Sequence, residues 1–119
     1  MRYIMLICGD ESAWFNGGEK AEAVMRDIQA WVRKWEDAGK LAEGGALLDS
    51  VRTAKTISTG PDGQPLVTDG PYLELKEAIG GLINLVADDL DEAVGIAATW
   101  PGIVPFDEKV EVRPVVSTS

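Results

Sequence analysis

Asp69, Glu74, Lys76 and Glu77 fall within nine residues and form the densest group of proton-moving side chains in the sequence. A carboxylate beside a lysine, partly removed from water, can work as a general acid/base pair. Asp69 and Lys76 are the candidates for that catalytic part. Tyr72, Glu74 and Glu77 follow as candidate ligand contacts. Glu74, Lys76 and Glu77 are too close in sequence for all three to enter one cleft, so at least one faces water. Asp69 also has a purely structural use, because an aspartate at a turn bonds backbone N–H groups two residues on.

Other candidates are sparser. Arg113, Arg52 and Arg2 could grip an anion if they share a cleft, since a guanidinium binds a carboxylate bidentately. Cys8 ends an apolar run and reads as an inert thiol, with no histidine anywhere to activate it. The lack of histidine also removes the usual neutral-pH acid/base and the commonest zinc ligand. No glycine-rich phosphate loop, zinc spacing or Ser-His-Asp set occurs. The expectation is no metal and no cofactor.

The elements around these groups follow from pattern. Asp69-Gly70-Pro71 is a strong breaker: Pro71 fixes its own φ and pushes Gly70 out of the right-handed helical region. A strand leads into this corner over residues 66–68, and another leaves over 80–87, where Gly80 and Gly81 predict a bulge or a close backbone approach. Functional groups are often found on such corners.

Residues 3–8 are continuously apolar and predict a strand buried on both faces. Residues 13–18 read as a loop whose Trp14 and Phe15 either pack over the core's end or line a pocket. Ala21, Val24, Met25, Ile28, Trp31, Val32 and Trp35 recur at helical spacing, which predicts a helix over 19–38 closed by Gly39. A short strand follows at 46–48, then a hairpin over 51–68 turning at Gly60-Pro61-Asp62-Gly63.

Asp89-x-x-Glu92 predicts a capping box. It opens a helix with Leu90, Ala93, Val94 and Ala97 on its apolar face. Residues 103–108 read as a loop, and 109–116 as a final strand that Pro114 confines to an edge or a bulge.

The order predicts an α+β fold: a ferredoxin-like split βαβ sandwich, with an antiparallel sheet and two helices on one face. The opposite sheet face is then apolar and uncovered. A second copy of the chain, stacked sheet to sheet, covers it most simply, which predicts a homodimer. The 13–18 loop or the C-terminal tail is the other possible cover.

Residues 1–119 are expected to form a single domain, since 45% apolar residues can build a core without disulfide or metal help. A net charge of −9 argues against direct nucleic-acid binding and against anionic membranes. One cysteine and no long apolar run make a cytoplasmic location the expectation.

The corner reads DGPYLELKEAIGG over residues 69–81. It resembles the signature of the YCII-related (DGPF) family, DGPFxExKExxGG, with Tyr72 where phenylalanine is usual. Residues 1–7, 89–93 and 110–115 extend the resemblance across nearly the whole chain. It implies a homodimer of the dimeric α+β barrel type. It also implies a histidine on the first helix paired with an aspartate before the closing glycine. Asp37 fits the aspartate, but the histidine's place falls near Ile28, so that dyad cannot be carried over.

Two functions stay open. One is a small-molecule-binding or regulatory module for a small acidic or phenolic ligand. Relatives fused to sigma-factor-like domains imply a transcription-related protein partner for it. The other is a cofactor-free lyase or isomerase using the Asp-Gly-Pro corner, as relatives that include a dehydrochlorinase imply.

Overall fold

The computed structural model describes residues 1–70 and 78–117. The Asp-Gly-Pro corner is therefore seen only through Asp69 and Gly70. Tyr72, Glu74, Lys76 and Glu77 lie outside the described residues.

Among the described residues, eleven elements follow in order. Strand β1 spans Arg2–Gly9 and leads through a one-turn helix α1, Ser12–Phe15, into the long helix α2, Glu19–Asp37. Strand β2, Leu41–Leu47, precedes a 3-10 turn at Val51–Thr53. Strands β3, Lys55–Thr59, and β4, Pro65–Asp69, form a hairpin. Strand β5, Ala78–Val86, leads to helix α3, Leu90–Ala97. A one-turn helix α4, Ile103–Phe106, and the strand β6, Lys109–Pro114, complete the chain.

The main sheet has the order β2-β5-β1-β6, antiparallel at each pairing, and β3-β4 form a separate two-stranded sheet. This is an α+β architecture compatible with the ferredoxin-like pattern expected from the element order. Pro114 ends β6, and β6 is an edge strand, where a missing N–H costs no ladder bond.

Register fixes the two faces of the sheet. Tyr3, Met5 and Ile7 on β1 stand opposite Leu85, Ile83 and Gly81 on β5. With Val24, Ile28 and Trp31 of α2 and Ala93, Ile96 and Ala97 of α3, they make one core. Met5 and Leu85 are fully enclosed at its centre. Trp31 meets Trp100 edge-on at 5.1 Å and donates its indole N–H to Thr99 Oγ1 at 2.8 Å. On the other face, Ile4, Leu6, Leu82 and Val86 are only half-buried. The uncovered face expected from the sequence is therefore largely apolar at the sheet's centre, with Asn84 among these residues and charged Lys109, Glu111 and Arg113 along its β6 edge.

Helix α2 ends as its glycine demands. Gly39 takes φ +73°, its N–H bonds to Glu36 C=O at 2.9 Å, and Lys40 N–H reaches Trp35 C=O at 2.9 Å. That pair of bonds is the Schellman arrangement, which a Cβ at residue 39 would strain.

Several local expectations are corrected. Residues 12–15 are helical, not loop, because Asp10 Oδ1 accepts both the Ser12 N–H at 3.0 Å and its hydroxyl at 2.7 Å. Residues 51–53 leave the predicted strand because Ser50 Oγ caps Arg52 N–H at 3.1 Å, while Glu11 Oε2 takes Val51 N–H at 3.2 Å. The capping box is half formed: Asp89 caps Glu92 N–H at 2.8 Å, but the Glu92 carboxylate turns to Asp88 N–H and Lys40. In α3, Ile96 replaces Leu90 and Val94 on the buried face, leaving those two exposed. The 103–108 loop contains the short helix α4 and ends on a buried glutamate.

Candidate functional site

Glu108 is 8% exposed and is the buried charged residue among the described residues. Its carboxylate is held by two indoles. Trp100 Nε1 donates to Oε1 at 2.9 Å, and Trp14 Nε1 donates to Oε2 at 3.1 Å. Trp14 comes from α1 and is steadied by Phe106 of α4, ring centres 4.5 Å apart. Trp100 comes from the turn after α3. One carboxylate thus ties together three separate segments of chain.

Room for it is built into the backbone. A Cβ on Gly102 would lie 1.7 Å from Glu108 Oε1, and one on Gly9 would lie 3.1 Å from its Cγ. Gly102 has φ −81°, so glycine stands there for space and not for a special dihedral. Asp107, immediately before Glu108, holds φ +51° in the left-handed region. Aspartate tolerates that region better than most side chains, yet at a cost. The cost is met where the chain must turn a carboxylate inward.

Glu108 opens on a cavity of about 320 Å³ between the end of the sheet and helices α1 and α2. Its walls are apolar: Ile7 from β1, Phe15 from α1, Met25 and Ile28 from α2, Leu47 from β2 and Ile79 from β5. Phe15 and Leu47 are 67% and 71% exposed, so the mouth itself carries apolar surface. The bulge predicted from the glycine pair forms this wall. Cys8 pairs with Ile79 while Ile7 pairs with Gly81, which leaves Gly80 as the extra residue beside the cavity. Three further carboxylates line the site. Glu11 is engaged with Ser50 Oγ at 2.8 Å and with Val51 N–H, and Asp10 accepts from the Ser12 N–H and hydroxyl; Asp49 completes the set. Among the described residues, no lysine or arginine lines it.

The sequence-derived candidates are placed as follows. Asp69 is exposed at the end of β4 and is ion-paired with Lys55 across the hairpin. Gly70 has φ +93°, its N–H bonds to Ala54 C=O at 2.7 Å, and its own C=O accepts from Thr56 Oγ1 at 2.7 Å. The chain resumes at Ala78 and reaches the cavity wall at Ile79. Arg113 lies on the uncovered sheet face, with Nε donating to Glu111 Oε2 at 2.8 Å. Arg2 is near it at one end of β1, whereas Arg52 follows Val51 at the cavity end, so the three arginines do not share a cleft. Asp37 is exposed at the end of α2, nine residues beyond Ile28 in sequence. Cys8 is half-buried on the uncovered face.

In the sequence, Glu108 reads only as the end of a loop. Its signal was indirect: a buried indole N–H usually finds an acceptor, the chain has four tryptophans, and histidine is not there to supply one. No group of three potential metal ligands occurs among the described residues.

Fold and site define an α+β protein, a four-stranded antiparallel sheet with helices on one face, with a carboxylate-floored apolar cavity at one end of its core. The YCII-related domain family matches residues 1–118, and the chain belongs to that family. It is 36% identical over 118 residues to an uncharacterised protein of Rhizobium meliloti (strain 1021), spanning 97% of this chain and 92% of that one.

Proposed function

We propose that this YCII-related chain is a homodimeric small-molecule-binding module whose ligand occupies the cavity floored by Glu108. The observation that carries the reading is the buried Glu108 carboxylate facing an apolar cavity. A charge is costly to bury, and this one is held by two indoles and a glycine cradle. A cavity of about 320 Å³ suits a molecule at the small end of the usual ligand range.

The Asp-Gly-Pro corner supports the same site by sequence. Lys76 and Glu77 precede the wall residue Ile79 by three and two positions. Asp69 anchors the hairpin from which that segment leaves. Asp69 and Lys76 remain the proposed acid/base pair of that corner, and Tyr72, Glu74, Glu77 and Arg113 remain proposed ligand contacts. Of the acidic and phenolic ligands expected, a floor that accepts hydrogen bonds favours a donor such as a phenol over an acid.

Dimerisation rests on the half-buried Ile4, Leu6, Leu82 and Val86, which one helix layer leaves uncovered. Stacking two such sheets gives the dimeric α+β barrel arrangement. No helix among the described residues is long and apolar enough to cross a membrane. A cytoplasmic location and a transcription-related protein partner remain part of the proposal. A cofactor-free enzyme is the second reading, favoured by the same carboxylate, which could act as the base.

A thermal-shift screen of small phenols, amines and carboxylates tests the binding reading, run on the wild type, Glu108→Gln and Asp69→Asn. Saturable binding raises the midpoint with concentration. The expected result is a hit lost in Glu108→Gln. No hit with the wild type, together with a mere loss of stability in Glu108→Gln, would make the glutamate a structural clamp.

A further inference from the structure

We propose that the Glu108 cavity selects a small apolar amine, a ring or branched aliphatic body carrying a protonated nitrogen, and discriminates against carboxylic acids. This rests on the cavity being a ligand site and adds the class of ligand.

The inference starts at the carboxylate. An ionised glutamate has about four lone-pair positions for donors. Glu108 uses one on each oxygen, for the Trp100 and Trp14 indoles. Both indoles are neutral. They orient the carboxylate but bring no positive charge to balance it. Among the described residues no ion pair reaches Glu108. A buried charge without a counter-charge is the costly case, and a partner cation is what relieves it. An ammonium arriving through the cavity fills the free acceptor positions and supplies that charge.

The walls decide the rest of the molecule. Ile7, Ile28 and Phe15 offer no donor or acceptor from their side chains and Met25 only a weakly accepting sulfur, so the body of the ligand must be apolar. Asp49, exposed, stands on the lining beside Glu11. Their field, within a chain of net charge −9, attracts cations and repels acids. A carboxylate ligand would face Glu108 at close range with like charge.

The experiment is calorimetric titration of the full chain with 2-phenylethylamine, 2-phenylethanol and phenylacetate at neutral pH, repeated on Glu108→Gln. The three share a ring of one size and differ in the head group. The expected result is an amine bound at least about tenfold more tightly than the acid, as a charge-assisted bond to a buried carboxylate allows. In Glu108→Gln the amine should weaken about tenfold, with the alcohol changed by less than about threefold. Equal binding of amine and acid would overturn the ligand class while leaving the cavity reading standing. No binding of any of the three would overturn both. Should Glu108→Gln fail to fold, the wild-type order of amine over acid still decides the matter.

Discussion

Gly102 and Gly95 make opposite predictions at the scale of the residue. An added methyl at 102 meets Glu108 Oε1 at 1.7 Å, whereas at 95, inside α3, it meets nothing within 4 Å. Gly102→Ala should therefore destabilise by about 1–3 kcal/mol through overpacking. It should also expel Glu108 from its indole cradle. Gly95→Ala should stabilise by about 0.5–1 kcal/mol, the ordinary gain at an open helical site. Urea unfolding of both variants checks the pair. Trp31 offers a third case, because Thr99 Oγ1 is its acceptor at 2.8 Å. Thr99→Val keeps the shape and orphans the indole, at a cost of about 1–3 kcal/mol. Met5→Ala, at the centre of the core, should cost about 2–5 kcal/mol.

Lys40 and Glu92 carry the pH dependence at the scale of elements. Lys40 stands at the entry to β2, Glu92 in the first turn of α3, and they meet at 2.9 Å with about a third of each side chain exposed. The hydrogen bond from Lys40 holds the Glu92 carboxyl below its ordinary 4.5, helped by Asp88 N–H. The same bond raises Lys40 above its ordinary 10.5, although partial burial opposes it. Glu92 therefore contributes stability fully present above pH 4.5 and lost as pH falls through its lowered folded value. Lys40 contributes stability fully present below 10.5 and lost as pH rises through its raised folded value. The stability difference between wild type and Lys40→Met should be flat between those limits and shrink beyond each. Unfolding midpoints from about pH 3.5 to about 11.5, one unit past either limit, read it.

The elements also show what a single sequence displays. Periodicity located α2, and Gly39 closed it as expected, because a Schellman ending depends on the residues at that spot. The core strand Arg2–Gly9 and the bulge at Gly80 were visible for the same reason. The 3-10 turn at 51–53 was not. It depends on Glu11, forty residues upstream of Val51 in sequence, reaching its N–H. Glu108 was hidden for the same physical cause, since its indole partners lie 94 and 8 residues away. Chemistry read from local density pointed to Asp69, whose side chain the fold leaves 86% exposed. The buried carboxylate was assembled by long-range contacts that no short window contains.

The molecule as a whole is thin and spread. Its extents are 51 × 44 × 20 Å, with a radius of gyration of 16.3 Å. A compact chain of this length has about 13.5 Å. The short dimension is one sheet with one helix layer, each about 10 Å deep. The β3–β4 hairpin accounts for breadth: it forms its own sheet, and Ile57 and Val67, paired on one of its faces, are 68% and 59% exposed. An isolated two-stranded hairpin is marginal in water. A second copy would give both the hairpin and the bare sheet face something to cover. Leu6→Glu, set at the centre of that bare face, should shift the solution mass from twice the 12.8 kDa chain to a single chain, with α2 helicity kept. Sedimentation equilibrium measures this, and a wild type that already sediments as one chain would end the dimer reading.

The four tryptophans offer the most direct test of the central claim, that the Glu108 cavity is a ligand site. Each gives one indole N–H signal in a nitrogen-15 correlation spectrum, and the substitution Glu108→Gln identifies the two that Glu108 holds. Titration of the wild type with 2-phenylethylamine should move the Trp14 and Trp100 signals along saturable curves. Trp35, packed beneath Lys34 and not part of the cavity lining, should stay in place. Signals of Trp14 and Trp100 that stay fixed while the amine binds elsewhere, or that do not move at all, would contradict the account.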